Sequence, residues 1–536
     1  MKIKYIYILL AFSLCQLTFT SLSGQDKREI PIRCLYHFDD LQRKQTWTDS
    51  YNAAGLSFVD FNSSSYIEAY FGKNDGSFVK FYDSDNSLNF GVKTSSIKRI
   101  KKTTFYGSID YNNFIGQNMA WSGLIYPERY LINLAGDRPS EKRKESYKLN
   151  GGFSSYLTNN LIFGAKINYE AAGYAKMKDL RHLTKLLDFE ITGGLIYKLG
   201  AVNLGANYYY RKFHENITFS KIADDDVRYQ GYLFKGLWFG IFDIWSQDVL
   251  NLSRPFIDVI QGGSLQLEFV KESFRFMNEF TYKKQTGLTG PGADRAYSES
   301  DGLQYEYRGV AQIEGPKLRH YLRANTVYNE MASYDKVTNQ ENIGGIYFTY
   351  YYGLNKAVEK RRFDLNAEYE LAIGAHKCSP DWNFRAGYNY LTQSTVSSLV
   401  APLYNNQDFK VHSYYGKINK NFLFDKSMLD ISFLGNLSSG SGTKLRSLLS
   451  TSSPSLILDD VVLQSSMDLL NREYEYFVTP KFLGEVGLKY SHFISRKETK
   501  GSVYFDAKYS FLKAKEVKYH EGNSYGILSL AVGFSF

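Results

Sequence analysis

Runs of about nine to eleven residues in which every second side chain is large and apolar recur through most of this 536-residue chain. In the stretch 363–373, Phe363, Leu365, Ala367, Tyr369, Leu371 and Ile373 form one face, and Asp364, Asn366, Glu368 and Glu370 the other. The stretch 503–511 sets Val503, Phe505, Ala507, Tyr509 and Phe511 against Tyr504, Asp506, Lys508 and Ser510, and 382–390 repeats the scheme. A period of two is a strand with one apolar face. The length matches a tilted strand crossing a bilayer and exceeds the about five or six residues of an ordinary strand.

Composition decides between a soluble sheet and a membrane barrel. The chain has 45 Tyr, 38 Phe and 43 Gly but 10 Pro, and its mean hydropathy is −0.35. That balance excludes a helical membrane protein, and no segment approaches the ~18 consecutive apolar residues of a membrane helix. The nearest, 237–245, is short and carries Asp243. Aromatic residues at both ends of the apolar faces fit the two interfacial girdles of a transmembrane barrel.

The N-terminus reads as an export signal: Lys2 and Lys4, an apolar stretch from Tyr5 to Phe19, then small residues, with cleavage near Ser23 or Gly24. Leu14 before Cys15 argues against a lipid anchor. The expected organisation is a signal peptide at 1–24, a periplasmic arm or partial lumen filler at 25–62, and a barrel at 63–536. Losing Lys2 and Lys4 takes the formal charge from +9 to +7 (9 − 2), with no basic block, so nucleic acid is not an expected partner. Cys34 and Cys378 remain, either as a disulfide or as two buried thiols.

Short connections are expected at 158–160, 200–201, 272–273, 315–317 and 425–427. Long ones are expected near 113–145, 172–187, 212–260, 329–360, 392–408 and 438–478. Short periplasmic turns alternating with long external loops are the pattern of a transmembrane antiparallel up-and-down β-barrel. Counting from Phe78 gives about eighteen strands, within a range of sixteen to twenty. The apolar stretch 234–245 has no clear alternation; it reads as one more strand, a loop folded into the lumen, or an exposed patch.

The chain ends on Leu528, Leu530, Val532, Phe534 and Phe536, alternating with small residues. This resembles the assembly signal of bacterial outer-membrane barrels, in which the last strand engages the barrel-assembly machinery and closes on the first. Together with the export signal and the Tyr-rich strands, the chain resembles an uncharacterised family of Bacteroidota outer-membrane β-barrel proteins. The resemblance implies a Gram-negative outer-membrane location, with lipid and the assembly machinery as partners.

No constellation for catalysis emerges. The eight His are scattered, adjacent His412 and Ser413 fall on opposite strand faces, and no HExxH or CxxC spacing occurs. No metal, cofactor or enzymatic activity is expected. The segment 25–62 is too short for the folded plug of a TonB-dependent transporter. With the apolar face toward lipid, Glu306, Arg308, Arg319, Arg323, Asp364, Glu368, Glu370 and Arg385 point into the lumen from four consecutive strands, with Lys417, Glu485, Lys489, Asp506 and Lys508 further round. Arg319 and Arg323 are expected to face Glu368 and Glu370. The charges serve either as a salt-bridged wall that packs the interior or as a polar path. The functional expectation is a passive channel or uptake pore for a small polar solute. The alternative is a non-conducting surface component that binds a partner or ligand through its loops, beside a neighbouring transporter or surface lipoprotein.

Overall fold

The computed structural model describes residues 45–222, 230–238, 240–244, 253–290, 298–374, 379–398, 404–447, 460–495 and 500–536. The expected signal peptide at 1–24, residues 25–44, Cys34 and Cys378 lie outside the described residues.

Among the described residues, twenty-one strands follow in chain order. The first eight are β1 (Ser63–Asp75), β2 (Asn86–Ile100), β3 (Thr103–Met119), β4 (Ile132–Gly136), β5 (Ser140–Tyr156), β6 (Leu161–Lys176), β7 (Arg181–Leu199) and β8 (Val202–Ser220). Next come β9 (Gln230–Lys235), β10 (Gly240–Ile244), β11 (Ser253–Lys271), β12 (Phe274–Thr289), β13 (Ser298–Glu314), β14 (Leu318–Ile343) and β15 (Ile346–Ile373). The last are β16 (Trp382–Ser397), β17 (Asn405–Leu423), β18 (Ser427–Ser447), β19 (Lys481–Ser495), β20 (Lys500–Ala514) and β21 (Ser524–Ser535). One helix, α1 (Asp460–Val478), lies between β18 and β19.

Eighteen of these strands form one antiparallel sheet, and pairing of β1 with β21 closes it into a barrel. The closing pair runs from Tyr66 opposite Ser535 to Asp75 opposite Gly526. Phe536 exchanges two backbone hydrogen bonds of 2.9 Å with Ser65, so the terminal residue is itself part of the seam. Closure removes the unpaired edges that an open sheet would expose.

Alternation decides which way each side chain points. Ile67, Phe71, Phe90, Val92, Leu195, Leu265, Tyr369 and Val532 are exposed on the outer wall, while Glu368 and Glu370 are buried on the inner one. In a bilayer, Leu365→Arg on the outer face should therefore destabilise the barrel by about 2–4 kcal/mol near the midplane. Asn366→Arg, one residue on, points inward beside Asn389 and should be tolerated. Equal losses in reversible unfolding from lipid vesicles would mean that the faces are exchanged, as a one-residue slip requires.

The short turns fall at one end of the barrel as expected, but several long connections do not. Residues 329–360 are no loop. They belong to β14 and β15, strands of 26 and 28 residues joined by Gly344 and Gly345, both at positive φ as a tight hairpin demands. Neighbouring strands stop at Asp335 and Val358, so the hairpin stands free by about 26 Å at ~3.3 Å per residue. The stretch 172–187 is mostly strand, and 438–478 contains the end of β18 and α1. The barrel begins with β1 and not at Phe78, which is a buried loop residue. Within 234–245, the described strands β9 and β10 pair with β4 in a separate three-stranded sheet and are not barrel strands.

Candidate functional site in the lumen

Two folded inserts occupy the barrel. At the turn end, residues 45–62 pack against one side of the wall. Trp47 Nε1 donates to Glu268 at 2.6 Å, Tyr51 donates through its hydroxyl to Glu306 at 3.0 Å, and Asn52 Nδ2 donates to the carbonyls of Leu195 and Ala206. At the loop end, the small sheet and α1 form a lid. Leu124, Ile132 and Leu134 pack on the inward-facing Ile217, Phe219 and Phe256. Leu131 packs on Met331, Ala357 and Val358 of β14 and β15. Tyr232, Phe234 and Trp238 join Phe81 and Tyr82 of the β1–β2 loop and Leu469 of α1. The lid thus touches the wall at β8 and β11 and again, past β12 and β13, at β14 and β15.

In the turn-end half of the lumen, a cavity of about 480 Å³ remains against β1–β3 and β16–β21. Its size suits a small ligand. Lys93 pairs with Glu68 at 3.0 Å, Lys508 with Asp506 at 3.2 Å, and Lys417 with Glu485 at 3.4 Å. Lys489 lies 4.4 Å from the centre of the Tyr504 ring. Both signs of charge face the space, and Ser529, Ala531 and Ser535 form a neutral strip between them.

Three tyrosines are laid down by one device. Tyr504 is registered opposite Gly533, Tyr70 opposite Gly91, and Tyr415 opposite Gly387. A side chain at any of these glycines would collide with the ring. Each ring lies over its glycine and its hydroxyl reaches a carboxylate beyond: Glu68 at 2.8 Å, Asp110 at 2.9 Å and Glu368 at 2.8 Å. The missing Cβ permits the close approach, and the bonded ring fixes the carboxylate's direction.

The eight lumen residues singled out from sequence divide into groups. Glu306 bonds Lys283 at 2.7 Å as well as Tyr51, and Arg308 lies 3.5 Å from Asp49, so these two hold the insert. Arg323 pairs with Glu368 at 3.1 Å and Glu370 at 2.7 Å, as the spacing suggested. Arg319 is registered opposite Ala372 of β15 and Glu314 of β13, not opposite Glu368 or Glu370. Asp364 is bound by Arg362 at 2.7 Å. Arg385 lies 3.8 Å from Glu370 and is the member of the set that lines the cavity. Glu68, Lys93 and Asp110 complete the site from strands that sequence reasoning did not single out.

His412 contacts the Tyr388 hydroxyl at 2.8 Å while Ser413 bonds Ser438, so the adjacent pair does point to opposite faces. Among the described residues no three His, Cys, Asp or Glu side chains gather as metal ligands.

Residues 53–536 match a protein family defined by sequence, the family of unknown function DUF6850. The chain belongs to that family. No functionally curated protein is similar to this DUF6850 member in sequence. Among solved structures, the outer membrane transporter YddB from Escherichia coli aligns over 88% of this chain and 81% of its own, at 8% identity and a TM-score of 0.41. The RagAB peptide importer in its closed-closed state aligns over 89% and 87%, at 8% and 0.39. The unliganded ferric citrate transporter FecA aligns over 88% and 78%, at 7% and 0.36. Similarity at this level assigns no substrate.

The lid carries its own titration. Burial pushes the carboxyl of Glu473 in α1 up to about 7, against the opposing pull of Lys360 and Lys80 and with Glu128 adding to the rise. Burial also raises Asp83, in the β1–β2 loop, to about 6. A carboxyl raised in the folded state binds its proton more tightly there. The resulting stabilisation is complete below the unfolded pKa of about 4 and is lost as pH rises through 6 to 7. The lid should be held more firmly at pH 5 than at pH 8. Glu473→Gln should flatten that dependence, read as protease cleavage within 460–478 across the pH range. An unaltered pH profile in Glu473→Gln would remove this carboxyl from the account.

Proposed function

We propose that this DUF6850 member is an outer-membrane barrel that passes a small polar solute through a lumen held shut at rest by the lid. The observation that carries the reading is the polar cavity in the turn-end half of the lumen, with tyrosine-oriented carboxylates and unsegregated lysines, below a folded lid at the loop end. The apolar outer wall supports placement in the bilayer, with the short turns periplasmic and the lid outside. The mixed charges suit a zwitterionic or neutral polar solute better than a single ion, since no ring of one sign marks a constriction. The cavity reads as a waiting site, and passage requires the lid to move.

Conductance in a planar bilayer tests this. The wild-type protein should be silent, and a variant with the lid segments 121–136, 230–244 and 448–478 each replaced by a short Gly-Ser linker should show discrete steps. Silence in both would sink the conduit. The second reading would then stand: a non-conducting surface component, working beside a neighbouring transporter or surface lipoprotein. One observation favours it, the projecting hairpin at 337–355, whose Ile346, Tyr351 and Tyr352 are 63%, 58% and 67% exposed.

A further inference from the structure

Three basic residues on adjacent strands form a row under the lid. Lys142 of β5 is registered opposite Lys176 of β6, and His182 of β7 follows one step beyond the Ala175–Leu183 pair. All three face inward at the loop end and are almost wholly buried, at 1%, 4% and 4% exposure. The ring of Tyr174 sits among them. Lys142 Nζ is 5.4 Å from its centre and the His182 ring 5.2 Å from it.

The row is incompletely satisfied. Lys142 Nζ donates to the carbonyl of Ser122 in the lid, and Thr184 Oγ1 donates to the next carbonyl, Gly123. Lys176 Nζ and His182 Nε2 have no hydrogen-bond partner. Neither lysine has an ion pair among the described residues. Asp83, Asp137 and Asp179 act on them only at longer range, and Asp179 is already held by Arg181 at 2.9 Å. Buried cations without a counter-charge are costly, by several kcal/mol each. A group that presents several acceptor oxygens to donors converging from three strands would offset that cost.

We propose that Lys142, Lys176 and His182 form a binding site for a phosphate- or sulfate-class oxyanion, seated beneath lid residues 121–124. The anion bridges the β5–β7 wall to the lid, because Lys142 is shared between anion and the Ser122 carbonyl. Its occupancy therefore fastens the lid, whether or not the lumen conducts. The row points into the lumen and away from the outer wall, so the anion is free in solution and not a lipid headgroup. It enters when residues 121–124 lift, since the buried atoms leave no other approach.

The test is calorimetric titration of the full-length protein in detergent with sodium phosphate, at ionic strength fixed with sodium chloride. One saturable site is expected. Lys176→Gln and His182→Gln should each weaken binding by at least about tenfold, the scale of a lost charge-assisted bond. Lys176→Arg should retain binding, and both Gln variants should keep the heat-modifiable mobility of a folded barrel. Phosphate should also slow protease cleavage within the lid of the wild type and not of Lys176→Gln. No saturable heat in the wild type, or equal binding by wild type and Lys176→Gln, overturns the site. Loss of copurified lipid phosphate from Lys176→Gln, without loss of free-phosphate binding, overturns the free-anion source in favour of a headgroup.

Discussion

Replacing Phe534 and Phe536 with Ser should remove most of this protein from the outer membrane. Both rings belong to the apolar alternation of β21 and stack on each other at 5.6 Å, and Phe536 supplies both backbone bonds that end the seam with β1. The change strips lipid contacts worth about 2 kcal/mol or more per ring from the strand that closes the barrel. It also removes the terminal aromatic on which we propose the assembly machinery acts. The effect should exceed that of an equally apolar loss elsewhere on the wall. Val486→Ser, on the exposed face of β19, is the control and should cost stability without abolishing insertion. Surface protease accessibility and heat-modifiable mobility report the outcome. Normal surface levels of the double variant would refute the role of the terminal strand.

The barrel was legible because a two-residue period is imposed by the physics of a wall with lipid on one side and polar space on the other. Where that contrast changes, the reading failed in an instructive way. Along β8 the apolar residues Leu204, Ala206 and Tyr208 face out, but beyond Arg211 they are Phe213, Ile217 and Phe219, which face in. The outward positions there, Lys212, His214, Asn216 and Thr218, are polar. The strand has left the apolar belt, and the lid now covers its inner face. That phase change is the signal that could have located the lid. A segment as short as 231–235 could not announce it alone, because five residues buried or half-buried on both faces carry no period. The cavity was half legible for a related reason. In β1 the inward residues Tyr66 and Tyr70 are large and mostly apolar like the outward Ile67 and Phe71, so Glu68 sits in a stretch whose alternation is masked. The projecting hairpin continues the sheet hydrogen bonding past its neighbours, so its apolar residues, exposed on a two-stranded ribbon, looked like a loop.

Trp47→Ala should release the turn-end insert and leave the barrel closed. Trp47 is 1% exposed, stacks on Phe58 at 5.4 Å, and packs with Ala54, Ile162, Ile196 and Met277. Its indole also completes the satisfaction of Glu268, a buried carboxylate that accepts from Thr46 Oγ1 at 2.9 Å and Asn203 Nδ2 at 2.7 Å as well. Losing the ring opens a cavity against Gly205, whose missing side chain makes room for the indole edge. A buried Trp→Ala change costs about 3–5 kcal/mol, and a carboxylate short of one donor adds to it. Residues 45–62 bury few other large side chains, so the whole insert should detach before any barrel strand frays. Cleavage by protease added at the turn end should appear within 45–62, while the barrel keeps its mobility. Trp47→Phe keeps much of the packing but not the bond to Glu268, and should fall between the two. Conductance separates the two inserts. With the lid in place Trp47→Ala should stay silent, because the lid alone spans the mouth. In combination with the lid replacement it should conduct more than the lid replacement alone, since the insert narrows the same lumen. Equal conductance with and without Trp47 would mean that the insert fastens the wall and leaves the path untouched.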